Sequence, residues 1–256
     1  MVILRRPENS AYCFVLNYLA HIYLSGANEE ILVGNFIGDY VKGFELGRYS
    51  DLVRKGIILH RHIDSFTDTN LIVRRSKARI AEKYHKYSGI IIDIFYDHFL
   101  VNAWPVYSAM PIDSFVHNVH RVLQQHIHVL PDGVRLFLPS FIRHNWIQRY
   151  STVEGIEDVL HKMSARTTLP EETEYAIGVL RAEYDKFESE FSAFFPSLIS
   201  YVSRSFDIAL DHRAAQRARP VMLDLELGGA HLDLALVERL RDFALLGGEE
   251  FSRCVL

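Results

Sequence analysis

Through residues 17–206 the chain nowhere sustains the period-two alternation of apolar and polar residues that a half-buried strand needs. Its apolar positions recur at three- and four-residue spacing, in runs divided by Gly, Pro, Ser and Asp. That pattern restricts the fold to helices packed on helices. Residues 17–24 read as a short apolar helix ended by Ser25-Gly26, and residues 29–44 as a second, in which Gly34, Gly38 and Gly43 permit close approach. Ser50 or Asp51 caps a third helix that runs through His60, and Thr67 or Asp68 opens a basic helix that Gly89 breaks. Three isoleucines at 90–92 would suit a strand, but the run continues through Leu100 at helical length, so 90–101 is read as a helix. Residues 111–128, 136–150 in two pieces, and 152–163 continue the series. Residues 171–202 give a long amphipathic pattern that Pro196 should kink or interrupt. The expectation is an all-α, compact multi-helix bundle of roughly eight to ten helices. It spans residues 17–206, with 1–16 as an N-terminal extension and 207–256 as a C-terminal appendage without identifiable chemistry.

Within the apolar runs sit groups that are costly to bury: His21, Asp39, His60, His62, Asp64, Asp93, Asp97 and His98. The densest stretch, residues 56–68 (GIILHRHIDSFTD), puts His60 and Asp64 four apart on one helical face, and Asp64 and Asp68 likewise. Taken singly, His21 reads as a hydrogen-bonded core histidine, Asp39 with Lys42 as a surface pair, and Asp93 as a capping residue. His62, two residues from His60, points away from it. Convergence of such groups from several helices favours a metal centre instead. Oxygen and nitrogen donors without thiolate fit Mn²⁺, Mg²⁺, Fe²⁺ or Zn²⁺. A centre of that kind promotes hydrolysis, by lowering the pKa of water and polarising a phosphoryl or carbonyl oxygen.

Composition narrows the setting. The only cysteines are Cys13 and Cys254, which gives neither a disulfide framework nor a cysteine zinc motif, so a reducing, cytoplasmic location is expected. No apolar run reaches the ~18 residues of a membrane span. Arg5-Arg6, the apolar residues 11–24 and Ser25-Gly26-Ala27 imitate a signal peptide, but Asn17 and His21 interrupt the apolar region and Pro7-Glu8-Asn9 precedes it. The net charge of −4 is unevenly spread: between Lys42 and Lys86 eleven basic residues face five acidic ones. Such a surplus suits an acidic partner or a phosphate-bearing substrate, and its plain alternative is a solvated basic face. No Gly-rich phosphate loop is present, and neither nucleic acid nor membrane is an expected partner.

Four segments in order, NYLAH (17–21), GNFIGDYVKG (34–43), HRHIDSFTD (60–68) and DIFYDHFL (93–100), resemble the acyl-carrier-protein phosphodiesterase family. Its members, also called ACP hydrolases, are helical proteins likened to the HD-domain metal-dependent phosphohydrolases. LPSF (138–141), WIQRY (146–150) and MSAR (163–166) extend the resemblance, which covers about residues 17–204. Family members begin at the Met of an M-N-Y/F-L-A-H start, whose place Leu16 takes here, so residues 1–16 lie outside the pattern, as does the tail beyond about 206. The resemblance implies an HD-domain-like fold and removal of 4′-phosphopantetheine from the serine of holo acyl carrier protein, a phosphodiester hydrolysis supported by Mn²⁺, with Mg²⁺ or Fe²⁺ as substitutes. It implies Asp39, His60, Asp64, Asp97 and His98 as metal ligands, and Asp39, His98, Arg61 and His21 as catalytic groups. A metal-activated water would attack phosphorus in line, His98 or His21 would protonate the departing serine oxygen, and Arg61 would clamp the non-bridging oxygens unless it pairs with a buried aspartate. Two other readings remain: an HD-like phosphohydrolase of nucleotides or other small phosphoesters, and a non-catalytic helical module that binds an acidic partner.

Overall fold

A computed structural model of the chain describes residues 18–143 and 145–210. The described residues form twelve α-helices and no strand. In order they are α1 Tyr18–Tyr23, α2 Glu29–Phe36, α3 Asp51–Thr69, α4 Leu71–Tyr84, α5 Ser88–Asn102, α6 Trp104–Tyr107, α7 Ile112–Gln125, α8 Asp132–Arg143, α9 Trp146–Arg149, α10 Val153–Ser164, α11 Thr173–Ala182 and α12 Tyr184–Phe206. Three 3₁₀ turns, Gly38–Tyr40, Gly43–Arg48 and His85–Tyr87, join them. None of these helices is long and apolar enough to cross a membrane. Residues 1–16, expected as an extension, and 211–256 of the expected appendage lie outside the described residues.

The helices outnumber the expectation because several long runs are divided. Residues 29–44 are not one helix: α2 stops at Phe36 and the chain turns at Gly38, where a Cβ would lie 2.3 Å from Cγ of His60. Only glycine lets the backbone come that close to the imidazole. The long pattern after 171 breaks at Glu183, and α12 then runs through Pro196 without interruption. Its buried face, Phe187, Phe191, Phe194, Phe195, Leu198, Ile199 and Val202, holds it in register against the lost backbone hydrogen bond. The boundary between α3 and α4 also lies later than expected. α3 continues to Thr69, and the side chain of Asn70 caps α4 through the N–H of Ile72. The break before α5 falls at His85, which takes φ 45°, while Gly89 lies inside the first turn of α5.

Two contacts fix the centre. α2 crosses α3 at Gly34 and Gly56: a Cβ on Gly34 would meet the carbonyl oxygen of Val53 at 2.0 Å, and one on Gly56 that of Ile31 at 2.2 Å. The backbones therefore touch, which brings the Asn35 turn of α2 beside the His60 turn of α3. α5 and α12 close the bundle through rings. Phe95 packs edge-on to Phe187 at 5.5 Å between centroids, Tyr96 to Phe191 at 5.6 Å, and Phe99 stacks on Phe191 at 6.1 Å. After α12, Ile208 and Leu210 are buried, Ile208 lying against Gly26, whose φ of 66° ends α1.

Candidate metal centre

Four side chains from three segments meet beside the α2–α3 crossing: His21 of α1, Asp39 of the Gly38–Tyr40 turn, and His60 and Asp64 of α3. His21 Nε2 lies 3.3 Å from Asp64 Oδ1, His60 Nε2 3.4 Å from Asp64 Oδ2, and His60 Nε2 3.3 Å from Asp39 Oδ1. The two imidazoles stack at 4.2 Å between centroids. Both are buried, whereas Asp39 and Asp64 are nearly half exposed. The nitrogens thus approach from inside the bundle and the carboxylates form its solvent edge.

Hydrogen bonds behind the rings decide which nitrogens are free. His60 Nδ1 lies 2.8 Å from the backbone carbonyl oxygen of Asn35. A carbonyl can only accept, so Nδ1 carries a proton. The Asn35 amide donates to the His21 carbonyl at 2.7 Å and to Ser25 Oγ at 3.0 Å, so its Oδ1, 2.9 Å from His21 Nδ1, is the acceptor there. His21 therefore also holds its proton on Nδ1. In the neutral rings both Nε2 lone pairs point at the carboxylates, the tautomer a metal-ligating histidine requires. Donor pairs 3.3–3.4 Å apart are what ligands adopt around an ion at about 2.1 Å, where right to tetrahedral angles give about 3.0 to 3.4 Å. Among the described residues His21, His60 and Asp64 are the group of three whose donors all lie within 4.8 Å of one another, and Asp39 joins it at His60. Two imidazoles and two carboxylates fit a divalent ion of the Mn²⁺, Fe²⁺ or Zn²⁺ type.

The charges are already matched to one another. Burial alone would lower the His60 pKa, but the bond to Asp39 and the charges of Asp64 and Asp39 outweigh it and leave the ring above its usual value. Burial likewise works against the Asp64 carboxylate, and the His21 hydrogen bond with the His21 and His60 charges holds its pKa below the ordinary range. Asp93 is pushed well above that range by burial first and by the nearby charge of Asp64 next, with Lys77 opposing.

Asp97 and His98, expected as ligands, are not brought into this group, because their polar atoms are engaged elsewhere. Asp97 accepts from the backbone N–H groups of Leu19 and Ala20 at 3.1 Å each, so its carboxylate sits on the first turn of α1. Burial pushes that carboxyl up to about 7, against the pull of those two N–H groups. His98, a quarter of a helical turn further round α5, donates from Nδ1 to the carbonyl of Tyr150 at 2.7 Å, and its Nε2 accepts from the Tyr184 hydroxyl at 2.8 Å. Arg61 is exposed and anchors through Nη2 to the carbonyl of Val41 at 2.8 Å, not to a buried aspartate. His62 faces Tyr201 and Phe206, on the side of α3 away from His60, as its spacing suggests. Asn35 is the residue the sequence reading passed over, although it stands in the GNFIGD segment. Its signal was a fully buried amide between Gly34 and Phe36 on an apolar helix, a group that must find partners.

Comparison with known proteins finds a family and relatives that this chain is similar to. Residues 16–198 match the family model described as acyl carrier protein phosphodiesterase. Relatives bearing that description include the protein of Photorhabdus laumondii subsp. laumondii, 30% identical over 188 residues that cover 72% of this chain and 93% of the relative. Those of Pectobacterium atrosepticum and Salmonella agona are 28% and 30% identical, covering 72% and 74% of this chain and 96% and 98% of the relatives. No solved structure matches.

Proposed function

Because the chain belongs to the acyl carrier protein phosphodiesterase family, we propose that it hydrolyses the phosphodiester joining 4′-phosphopantetheine to the serine of holo acyl carrier protein. The products are the apo carrier and the free phosphopantetheine. The supporting observation is the His21–Asp39–His60–Asp64 group, a metal-type donor set assembled wholly from the segment that matches the family. When bound there, a divalent ion (Mn²⁺, or Mg²⁺ or Fe²⁺ in its place) supplies Lewis-acid polarisation of a phosphoryl oxygen and a lowered pKa for water.

The chain's own residues do the rest. His21 and His60 present Nε2 from the protein side, with Asn35 fixing both rings. Asp39 and Asp64 balance the positive charge and leave the solvent edge as the approach for substrate. Arg61, next to His60, has one N–H held by Val41, and its other donors are available to the non-bridging phosphoryl oxygens. Asp97 positions His21 through α1, and His98 ties α5 to Tyr150 and Tyr184. A cytoplasmic setting and an acidic carrier partner accord with the cysteine usage and the basic segment 42–86.

The test is to incubate the protein with Mn²⁺ and holo acyl carrier protein and weigh the carrier by mass spectrometry. The expected result is Mn²⁺-dependent loss of the phosphopantetheine mass. An unchanged carrier together with turnover of nucleotides or other small phosphoesters would overturn the reading in favour of a small-molecule phosphohydrolase.

A further inference from the structure

The scissile bond of the proposed reaction lies on the carrier's own surface, so a folded protein must press against the rim of the metal group. One part of that rim is built for contact. Five residues beyond Asp39, Phe44 stands 81% exposed in the Gly43–Arg48 turn. A single exposed ring carries no meaning by itself, but this one is held out by a constructed turn. Glu45 Oε2 accepts from the backbone N–H of Lys42 at 3.1 Å, Glu45 Oε1 lies 3.3 Å from Arg48 Nη1, and the N–H of Tyr49 returns to the carbonyl of Leu46 at 3.2 Å. A Cβ added at Gly43 or Gly47 would meet nothing within 4 Å, so those two positions face open space, while Leu46 packs the turn onto the core. At its base, Val41 is latched to Arg61 at 2.8 Å, and Arg61 neighbours the ligand His60. The outward line of α3 continues from there through Ile58, itself exposed, to Arg54.

The charges around the ring have one sign to spare. Lys42 at the start of the turn and Arg61 at its base have no carboxylate partner among the described residues. Unneutralised cations around an apolar projection complement a carboxylate-rich protein face with an apolar spot.

We infer that the Gly43–Arg48 turn and the outer face of α3 are the docking surface for the carrier protein. Phe44 is the apolar anchor and Lys42 faces carboxylates of the carrier, while Arg61 at the base of the turn keeps to the phosphoryl oxygens. This rests on the hydrolysis proposed above.

The experiment is steady-state hydrolysis of holo acyl carrier protein by the Mn²⁺-loaded full chain and its Phe44→Ala, Phe44→Leu and Lys42→Gln variants. Mn²⁺ affinity is measured on each as a control for an intact centre. Phe44→Ala should raise KM about tenfold with kcat within about twofold, and Phe44→Leu should restore most of the loss. Lys42→Gln should raise KM about threefold and flatten its dependence on salt. Mn²⁺ affinity should be unchanged in all three. If the wild type cleaves the carrier and the variants keep its KM, the docking surface is wrong while the hydrolysis stands. If the wild type binds Mn²⁺ but never cleaves the carrier, both fall together.

Discussion

Asn35 does more for the candidate centre than its position outside the ligand set suggests. Its amide oxygen orients His21, its backbone carbonyl orients His60, and its amide nitrogen fastens the end of α1 through the carbonyl of His21 and the hydroxyl of Ser25. Loss of such a partner typically costs 10- to 100-fold in metal affinity. Asn35→Ala should therefore weaken Mn²⁺ binding by about that factor in a titration, since His21 Nδ1 loses its acceptor while His60 keeps the backbone one. Asp97 gives a second prediction at this scale. Its carboxyl titrates near 7 in the folded chain, raised by burial, against about 4 when unfolded. The folded state therefore holds this proton more tightly, so the contribution to stability is full below about pH 4 and is lost as pH rises towards 7. Between those values the melting temperature of the metal-free wild type should fall relative to that of Asp97→Asn, and above pH 8 the difference should stay flat. A difference that moves the other way would refute the assignment. At residue scale the sequence was informative where chemistry and periodicity coincided, as at His60 and Asp64. Asp97 and His98 lie outside the His21–His60–Asp64 group, and spacing alone does not separate the two uses of an acid in an apolar helix, a neighbouring helix terminus and a metal.

At the scale of elements, the centre depends on how closely α2 and α3 approach. The two glycines at the crossing leave no room for a methyl group, with backbone atoms of the partner helix at 2.0 Å and 2.2 Å from the added carbon. Gly56→Ala should cost about 3 kcal/mol in a denaturant titration, the upper part of the usual range for overpacking. It should also weaken Mn²⁺ binding by spreading His21 from His60. Full stability in that variant would mean the helices cross less tightly. Helix starts were legible where a side chain caps its own backbone, as Ser50 does for α3 and Thr152 for α10. Helix ends were less so. α2 stops eight residues short of the reading from its apolar run, because the chain must bend at Gly38 to set Asp39 against His60, a requirement that arises only from a distant helix. Pro196 was read as a break, and the aromatic face of α12 overrides it.

At the scale of the whole molecule, an ion at the centre would tie α1, the Gly38–Tyr40 turn and α3 into one unit, so occupancy and stability are linked. Saturating Mn²⁺ at 100 times its dissociation constant should stabilise the fold by about 2.7 kcal/mol, and a chelator should remove that gain. The all-α class was readable because no segment within residues 17–206 offers a strand period. The site's placement beside a basic segment was readable from the uneven charge. What the linear sequence withheld was which of eight scattered acids and imidazoles share one space, since that follows from helix crossings and not from spacing along any one helix.

The most direct measurement of the central claim is calorimetric titration of Mn²⁺ into the metal-stripped wild type, His60→Ala and Asp64→Ala, with circular dichroism to establish that each remains helical. Stoichiometric binding by the wild type that is lost in both helical variants is the predicted result. Variants that stay folded and bind Mn²⁺ as the wild type does would show that His21, Asp39, His60 and Asp64 are not the metal centre.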